Sequence, residues 1–159
     1  MEPVFTSTVM AIEDAWIDYN GHLNMAYYNV LFDRGHDQAL ALAGLSPDSI
    51  KETGLSYMTA EIHVGYLREV FRADPVQVRL RVLDLDEKRL HTFCELVHAT
   101  EGWVSAYCET MSLHVDLNQR KVAPFPPQTV AVLSAMKAAS DTLPWPEKAG
   151  RKIGIPRKT

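Results

Sequence analysis

The chain has 159 residues, 47% of them apolar and 23% charged, with a formal net charge of −4. That length suits one domain with a self-sufficient core. The composition excludes a disordered chain, and the acidic excess argues against a general nucleic-acid binder.

Val4-Phe5-Thr6 and Ala15-Trp16-Ile17 read as short β-rich pieces. The polar run Asp18-Tyr19-Asn20-Gly21-His22-Leu23-Asn24 follows, with a turn signal at Asn20-Gly21 and a helix N-cap at Asn24. Over residues 25–43, Tyr28, Leu31, Phe32, Gly35, Ala39 and Leu42 recur at helical spacing, which predicts one long helix. Gly35 on that face lets the helix lie close to a sheet, and Gly44 closes it. Ser46-Pro47-Asp48 opens a short second helix that Gly54 ends.

Residues 56–117 read as four strands. Met58, Ala60, Ile62, Val64 and Tyr66 alternate with polar neighbours, and Val76, Val78, Leu80 and Val82 alternate with Gln77, Arg79 and Arg81. Two more strands span 89–98 and 103–115, with turns over 84–88, 100–102 and 118–120. Pro124, Pro126 and Pro127 lead into a helix near 128–138 with the apolar stripe Val130, Leu133 and Met136. The order predicts a meander of antiparallel strands whose apolar face the long helix must cover. The expected architecture is α+β: an antiparallel β-sheet of five to six strands wrapped around one long central α-helix. The domain is expected over 1–138, followed by a basic, proline-containing tail over 139–159.

The charge is uneven. Residues 141–159 hold Lys148, Arg151, Lys152, Arg157 and Lys158 against Asp141 and Glu147, a net +3 that leaves −7 on the rest. Such a strip is either a solvated terminus or a contact for an anionic ligand. Cys94 and Cys108 show no metal or redox spacing and read as buried thiols. The start Met1-Glu2-Pro3 lacks a basic region followed by an apolar run, and no apolar run approaches a membrane span. A cytoplasmic location is expected.

The run at 18–24 carries the most chemistry. A helix start exposes backbone N–H groups and partial positive charge, which stabilise the oxyanion formed when a carbonyl is attacked. Asp18, across a tight loop, suits attack on that carbonyl or activation of water; Asp18 and Asn24 equally suit a plain loop and cap. His22 could orient Asp18, bond the carbonyl or pin the loop. Glu61 and His63 share one strand face, either as an outer polar surface or as a pocket-lining pair. Trp16, Tyr19, Tyr27 and Tyr28 crowd the run, either as packing or as an aromatic cage for a cation, which Glu61 would supplement. Lys88, Arg89, Arg120 and Lys121 lie at strand ends or turns, either solvated or facing phosphates. His91, His98 and His114 lack tight ligand spacing, so no metal is expected.

Asp18-x-x-Gly21-His22-x-Asn24 before an aromatic-rich helix resembles the signature of the 4-hydroxybenzoyl-CoA thioesterase branch of hotdog-fold proteins, over roughly residues 8–137. More narrowly, Trp16-Ile17-Asp18-Tyr19-Asn20-Gly21-His22, Glu61-Ile62-His63, Asp86-Glu87-Lys88-Arg89-Leu90-His91 and Leu113-His114-Val115-Asp116 are similar to betainyl-CoA thioesterases of carnitine breakdown. The resemblance implies a hotdog fold and hydrolysis of a short acyl-CoA, betainyl-CoA being the expected substrate. It implies Asp18 as the catalytic carboxylate, the Met25 backbone N–H as the oxyanion donor, and His22 beside them. Asp33 and Asp37 are weaker candidates, by likeness to relatives with a helix-borne acid. Trp16, Tyr19, Asn24, Tyr28, Glu61 and His63 are expected around the acyl group, and Lys88, Arg89, Arg120 and Lys121 around CoA.

Coenzyme A enters as part of the substrate, with no further cofactor. One curled sheet leaves an open edge, which implies a homodimer or homotetramer; neither nucleic acid nor membrane is an expected partner. Rival readings are a hotdog thioesterase for aromatic or fatty acyl groups, a hydratase, whose Asp/His spacing Asp18 and His22 do not match, and a non-catalytic acyl-CoA-binding module.

Overall fold

The computed structural model describes residues 1–155 and 157; Lys158, counted above in the basic strip, lies outside the described residues. In chain order the elements are β1 (Phe5–Thr6), α1 (Met25–Ala41), α2 (Pro47–Thr53), β2 (Leu55–Tyr66), β3 (Val76–Leu85), β4 (Arg89–His98), β5 (Val104–Asp116), β6 (Lys121–Val122) and α3 (Pro127–Ser140). Of Ala15-Trp16-Ile17, expected as β, the first two fall in a single 3₁₀ turn over Asp14–Trp16, and only Ile17 bridges, to Leu23.

α1 begins at Asn24, whose side chain accepts from the Ala26 N–H, and it ends at Ala41, two residues short of expectation. Leu42, expected on the apolar face, is therefore left 58% exposed, while Leu40 and His36 take core positions. α2 starts as the Ser46-Pro47 signal predicts: the Ser46 side chain accepts from the Ser49 N–H, and Gly54 closes the helix at φ 71°.

The sheet has six strands in the order β1-β3-β4-β5-β2, all neighbours antiparallel, with β6 pairing on the end of β5. β3, β4 and β5 form the expected meander. β2 does not join it at β3: it crosses to pair along its length with β5, from Leu55 opposite Asp116 to Tyr66 opposite Ala106. Alternation assigns faces to a strand but says nothing about its neighbours, so the crossover was not readable locally.

One sheet face carries Val76, Val78, Leu80, Val82, Cys94, Leu96 and Cys108, all buried against Tyr28, Leu31, Phe32, Ala39 and Leu40 of α1. Cys94 and Cys108 face each other across β4 and β5 as free thiols. α1 meets the sheet at Gly35, where an added Cβ would overlap the Val78 side chain. α3 adds Leu133 and Met136 to the same core, tied to the end of α1 by the Thr129 hydroxyl donating to the Ala43 carbonyl at 2.8 Å.

The outer sheet face carries a smaller cluster of Leu83, Phe93 and Tyr107, against which Ala149 packs. Arg81 on that face donates to the carbonyls of Ser140 and Pro144, both at 2.9 Å, and Glu109 accepts from the Gly150 N–H at 2.7 Å. The segment between those anchors therefore lies along the sheet. None of the described helices is long and apolar enough to cross a membrane.

Gly35→Ala tests the seating of α1. Overpacking costs about 1–3 kcal/mol, more than the gain of up to ~1 kcal/mol in helix propensity. Urea unfolding is expected to give a lower midpoint than the wild-type chain.

Candidate active site

The 18–24 loop is a tight reversal. The Gly21 N–H donates to the Asp18 carbonyl at 3.0 Å, and the Asp18 N–H donates to the His22 carbonyl at 3.1 Å. Gly21 turns the chain at φ 83°, the left-handed region that glycine enters without strain. The loop is pinned at its exit, where the Leu23 N–H donates to the Val70 carbonyl at 2.8 Å and the Asn24 N–H to the Trp16 carbonyl at 2.9 Å.

This geometry holds the Asp18 carboxylate. Its Oδ1 accepts from the Asn20 N–H at 2.8 Å, and its Oδ2 accepts from the Asn24 amide at 3.4 Å. The Asn24 Oδ1 in turn accepts from the Ala26 N–H at 3.0 Å, and the Tyr27 N–H donates to the Asn24 carbonyl. Asn24 thus links the carboxylate to the first turn of α1. The Met25 N–H carries no hydrogen bond among the described residues, so one backbone donor at the positive end of a 17-residue helix stays open.

His22 turns away from Asp18. Its Nδ1 contacts the Leu23 carbonyl at 3.1 Å and its Nε2 lies 3.7 Å from Glu69. Trp16 is buried and stacks on Tyr27, with ring centroids 5.4 Å apart, while the Arg34 guanidinium sits 4.8 Å from its ring. Tyr19 is 96% exposed. Of the aromatic residues expected around a ligand, Tyr28 is the one that lines a cavity beside Met25. That cavity, about 260 Å³, lies between the start of α1 and the chain after β2, with Tyr66 and Glu69 on its far side. Tyr66 donates its hydroxyl to the Met25 carbonyl at 3.0 Å and meets Tyr28 edge-on at 5.0 Å. Sequence reasoning missed both Tyr66 and Glu69. Tyr66 ends β2, 41 residues beyond Met25, and Glu69 lies just past that end; no local signal says which element a strand end will face.

A second cavity of about 380 Å³ lies between α1 and β2, lined by Asn29, Phe32, Asp33, His36 and Ile62 among others. Burial, with the nearby Asp37 charge, pushes the Asp33 carboxyl up. Tyr57 donates to Asp37 at 2.6 Å. Burial pulls the His36 imidazole down to about 4, against the opposing pull of Asp37, and its Nε2 bonds the Thr92 hydroxyl at 2.9 Å.

The remaining expected residues lie apart from Asp18. Glu61 and His63 point to the outer sheet face, beside the His91–Glu109 pair at 2.8 Å. Lys88 pairs with Glu87, and Arg89 with Asp86. These two residues, with Arg120 and Lys121, gather where β5 ends. That end lies ten residues past Ala106, the partner of Tyr66, or about 30 Å by the rise of a strand. Among the described residues no group of three or more His, Cys, Asp or Glu is arranged to hold a metal ion.

A family model described as the thioesterase-like superfamily matches residues 12–133. The chain belongs to that superfamily. Its antiparallel sheet wrapped on α1 is the hotdog fold of these thioesterases. The betainyl-CoA thioesterase of Pseudomonas aeruginosa is 37% identical over 156 residues, 98% of each chain. The L-carnitine dehydrogenase/betainyl-CoA thioesterase of Rhizobium meliloti is 36% identical over 146 residues, which are 92% of this chain and 29% of that longer protein. A Staphylococcus aureus protein solved in complex with CoA superposes with a TM-score of 0.87 at 29% identity, covering 96% of both chains.

The buried His36 gives this thioesterase-family chain a pH signature. The unfolded chain protonates that imidazole near 6.5, whereas the folded one holds it neutral until about 4. Its contribution is therefore complete above the unfolded value and is lost as pH falls toward the folded one, on the order of 2 kcal/mol between pH 7 and pH 5. Urea midpoints measured at those two pH values should differ in the wild type, and the difference should shrink in His36→Gln.

Proposed function

We propose that this chain hydrolyses betainyl-CoA to betaine and free CoA. The observation that carries the reading is an oriented carboxylate, Asp18, tied through Asn24 to a helix start with an open Met25 N–H. This arrangement stands in a chain similar over its whole length to a betainyl-CoA thioesterase. The thioester carbonyl accepts from the Met25 N–H, which stabilises the oxyanion as the carbon becomes tetrahedral. Asp18 either attacks that carbon, giving a mixed anhydride that water then opens, or takes a proton from the attacking water. In both routes the C–S bond breaks, the sulfur leaves with CoA and takes up a proton, and one water is consumed to give the free acid and regenerate the Asp18 carboxylate. Coenzyme A enters as part of the substrate and no further cofactor takes part. The fusion of the domain to an L-carnitine dehydrogenase in the Rhizobium meliloti relative supports a place in carnitine breakdown. Two buried free thiols fit a reducing, cytoplasmic setting.

The working unit in this reading is a homodimer at least. β2 pairs on one side only and leaves Met58 and Ile62 about half exposed along a twelve-residue edge, a template for a second copy of itself. A two-fold axis across antiparallel edges sets the beginning of one β2 beside the end of the other. It brings Arg120 and Lys121 of one copy, which lie at the far end of the sheet from Asp18, toward the helix start of the other. There they would meet the phosphates of CoA.

Asp18→Asn keeps the shape of the side chain and removes its charge. Turnover of betainyl-CoA is expected to fall by ~10²–10⁴; unchanged turnover on the best ester in a panel of acyl-CoAs would remove Asp18 from the reaction. Sedimentation should give a dimer or larger for the wild type. A paired Met58→Lys and Ile62→Lys variant should sediment as an inactive monomer.

A further inference from the structure

The cavity beside Met25 has walls that the 18–24 motif does not supply. We propose that Glu69, together with the ring of Tyr66, selects a cationic acyl group at this site: the carboxylate provides the counter-charge and the ring a π-face for a quaternary ammonium. The inference rests on the thioesterase reading and adds the residues that choose the acyl group.

Position is the first ground. The Tyr66 hydroxyl is bonded to the Met25 carbonyl at 3.0 Å, so the ring is fixed against the first turn of α1, and Tyr28 packs edge-on at 5.0 Å to hold it there. A thioester carbonyl on the Met25 N–H leaves a short acyl group next to that ring. Charge is the second ground. Glu69 is 63% exposed, and its one ionic neighbour among the described residues is His22, at 3.7 Å. Arg68 also lines the cavity, but its guanidinium is drawn 4.0 Å over the Trp103 ring and makes no ion pair with Glu69, while Arg72 pairs with Asp14 at 3.2 Å and Arg34 with Glu13 at 2.9 Å. Glu69 is the one carboxylate in the cavity lining and is left without an Arg or Lys partner among the described residues.

Chemistry is the third ground. A trimethylammonium group donates no hydrogen bonds, so it is recognised by net charge, by aromatic faces and by apolar contact for its methyls. Glu69 supplies the first, Tyr66 the second, and Leu23 with the Met25 side chain the third. The same carboxylate works against a neutral acyl group of equal shape, which would partly desolvate the charge without compensation.

The test compares betainyl-CoA with tert-butylacetyl-CoA, in which carbon replaces the charged nitrogen at the same shape. The wild-type chain is expected to show a higher kcat/KM for the charged ester, and Glu69→Gln to lower the ratio of the two values about tenfold. Tyr66→Leu should lower the same ratio, and Tyr66→Phe, which keeps the ring held by Tyr28 but loses its bond to Met25, should lower it less. Thermal melts establish that each variant is folded. A ratio unchanged in folded Glu69→Gln overturns the inference and leaves the thioesterase reading standing. A wild-type chain that cleaves neither these nor other acyl-CoA esters overturns that reading itself.

Discussion

Asn24 makes two bonds in opposite directions, one from its amide to the Asp18 carboxylate and one from the Ala26 N–H to its carbonyl oxygen. The first positions an acid and the second starts a helix, and neither has a use at this site without the other. An unattached Asp18 would be one more loop carboxylate. A helix start with every N–H satisfied would have nothing to offer a carbonyl. The arrangement holds because the helix cannot shift: Gly35 seats α1 on Val78, and the Thr129 hydroxyl ties the helix's end to α3. The backbone pins from Leu23 to Val70 and from Asn24 to Trp16 then fix the loop against a helix that is itself fixed.

The same seating organises charge. His36 is carried into the core on the buried face of α1 and stays neutral there. Asp33 and Asp37 lie on the flank that faces the open β2 edge, where Tyr57 holds Asp37 and burial pushes the Asp33 carboxyl up. At the helix start the carboxylates are Asp18 and Glu69, while Lys88, Arg89, Arg120 and Lys121 sit at the opposite end of the sheet. The carboxylates of the helix start and the cations expected around CoA therefore lie about a strand's length apart in one chain. In the proposed dimer the antiparallel edge brings the two ends together, which suits a ligand with a cationic acyl group and an anionic nucleotide. The tail extends this division of faces. Arg81, Glu109 and the Leu83–Phe93–Tyr107 cluster hold residues 140–150 along the outer face of the sheet.

Much of this was legible in the residues. The period of α1, the cap at Asn24, the glycine turn at Gly21 and the alternation of β3 are local patterns, and local hydrogen bonding and burial enforce them in almost any context. They sufficed to name a helix-wrapped antiparallel sheet; Asp18 and Met25 were singled out by the resemblance to hotdog thioesterases. Their ends were less legible. α1 stops two residues early because the chain must turn toward α2, and residues 14–16 coil into a 3₁₀ turn because the loop that follows needs Trp16 placed to accept from Asn24.

What the residues could not say is which distant elements become neighbours. Alternation in β2 told its two faces apart but not that β5, rather than β3, lies beside it. It also left open whether Glu61 and His63 look toward α1 or away from it. Trp16, Tyr19, Tyr27 and Tyr28 cluster in the sequence; packing divided them into a stacked pair, a solvent-exposed ring and one cavity wall. Tyr66 and Glu69 entered the site only through a strand end 41 residues from Met25. Sequence by itself determined the pieces whose bonds close within a few residues, the capped helix and the acid before it. Tertiary structure alone decided the walls of the pocket, because those contacts depend on strand order and sheet face, which carry no local energetic signature.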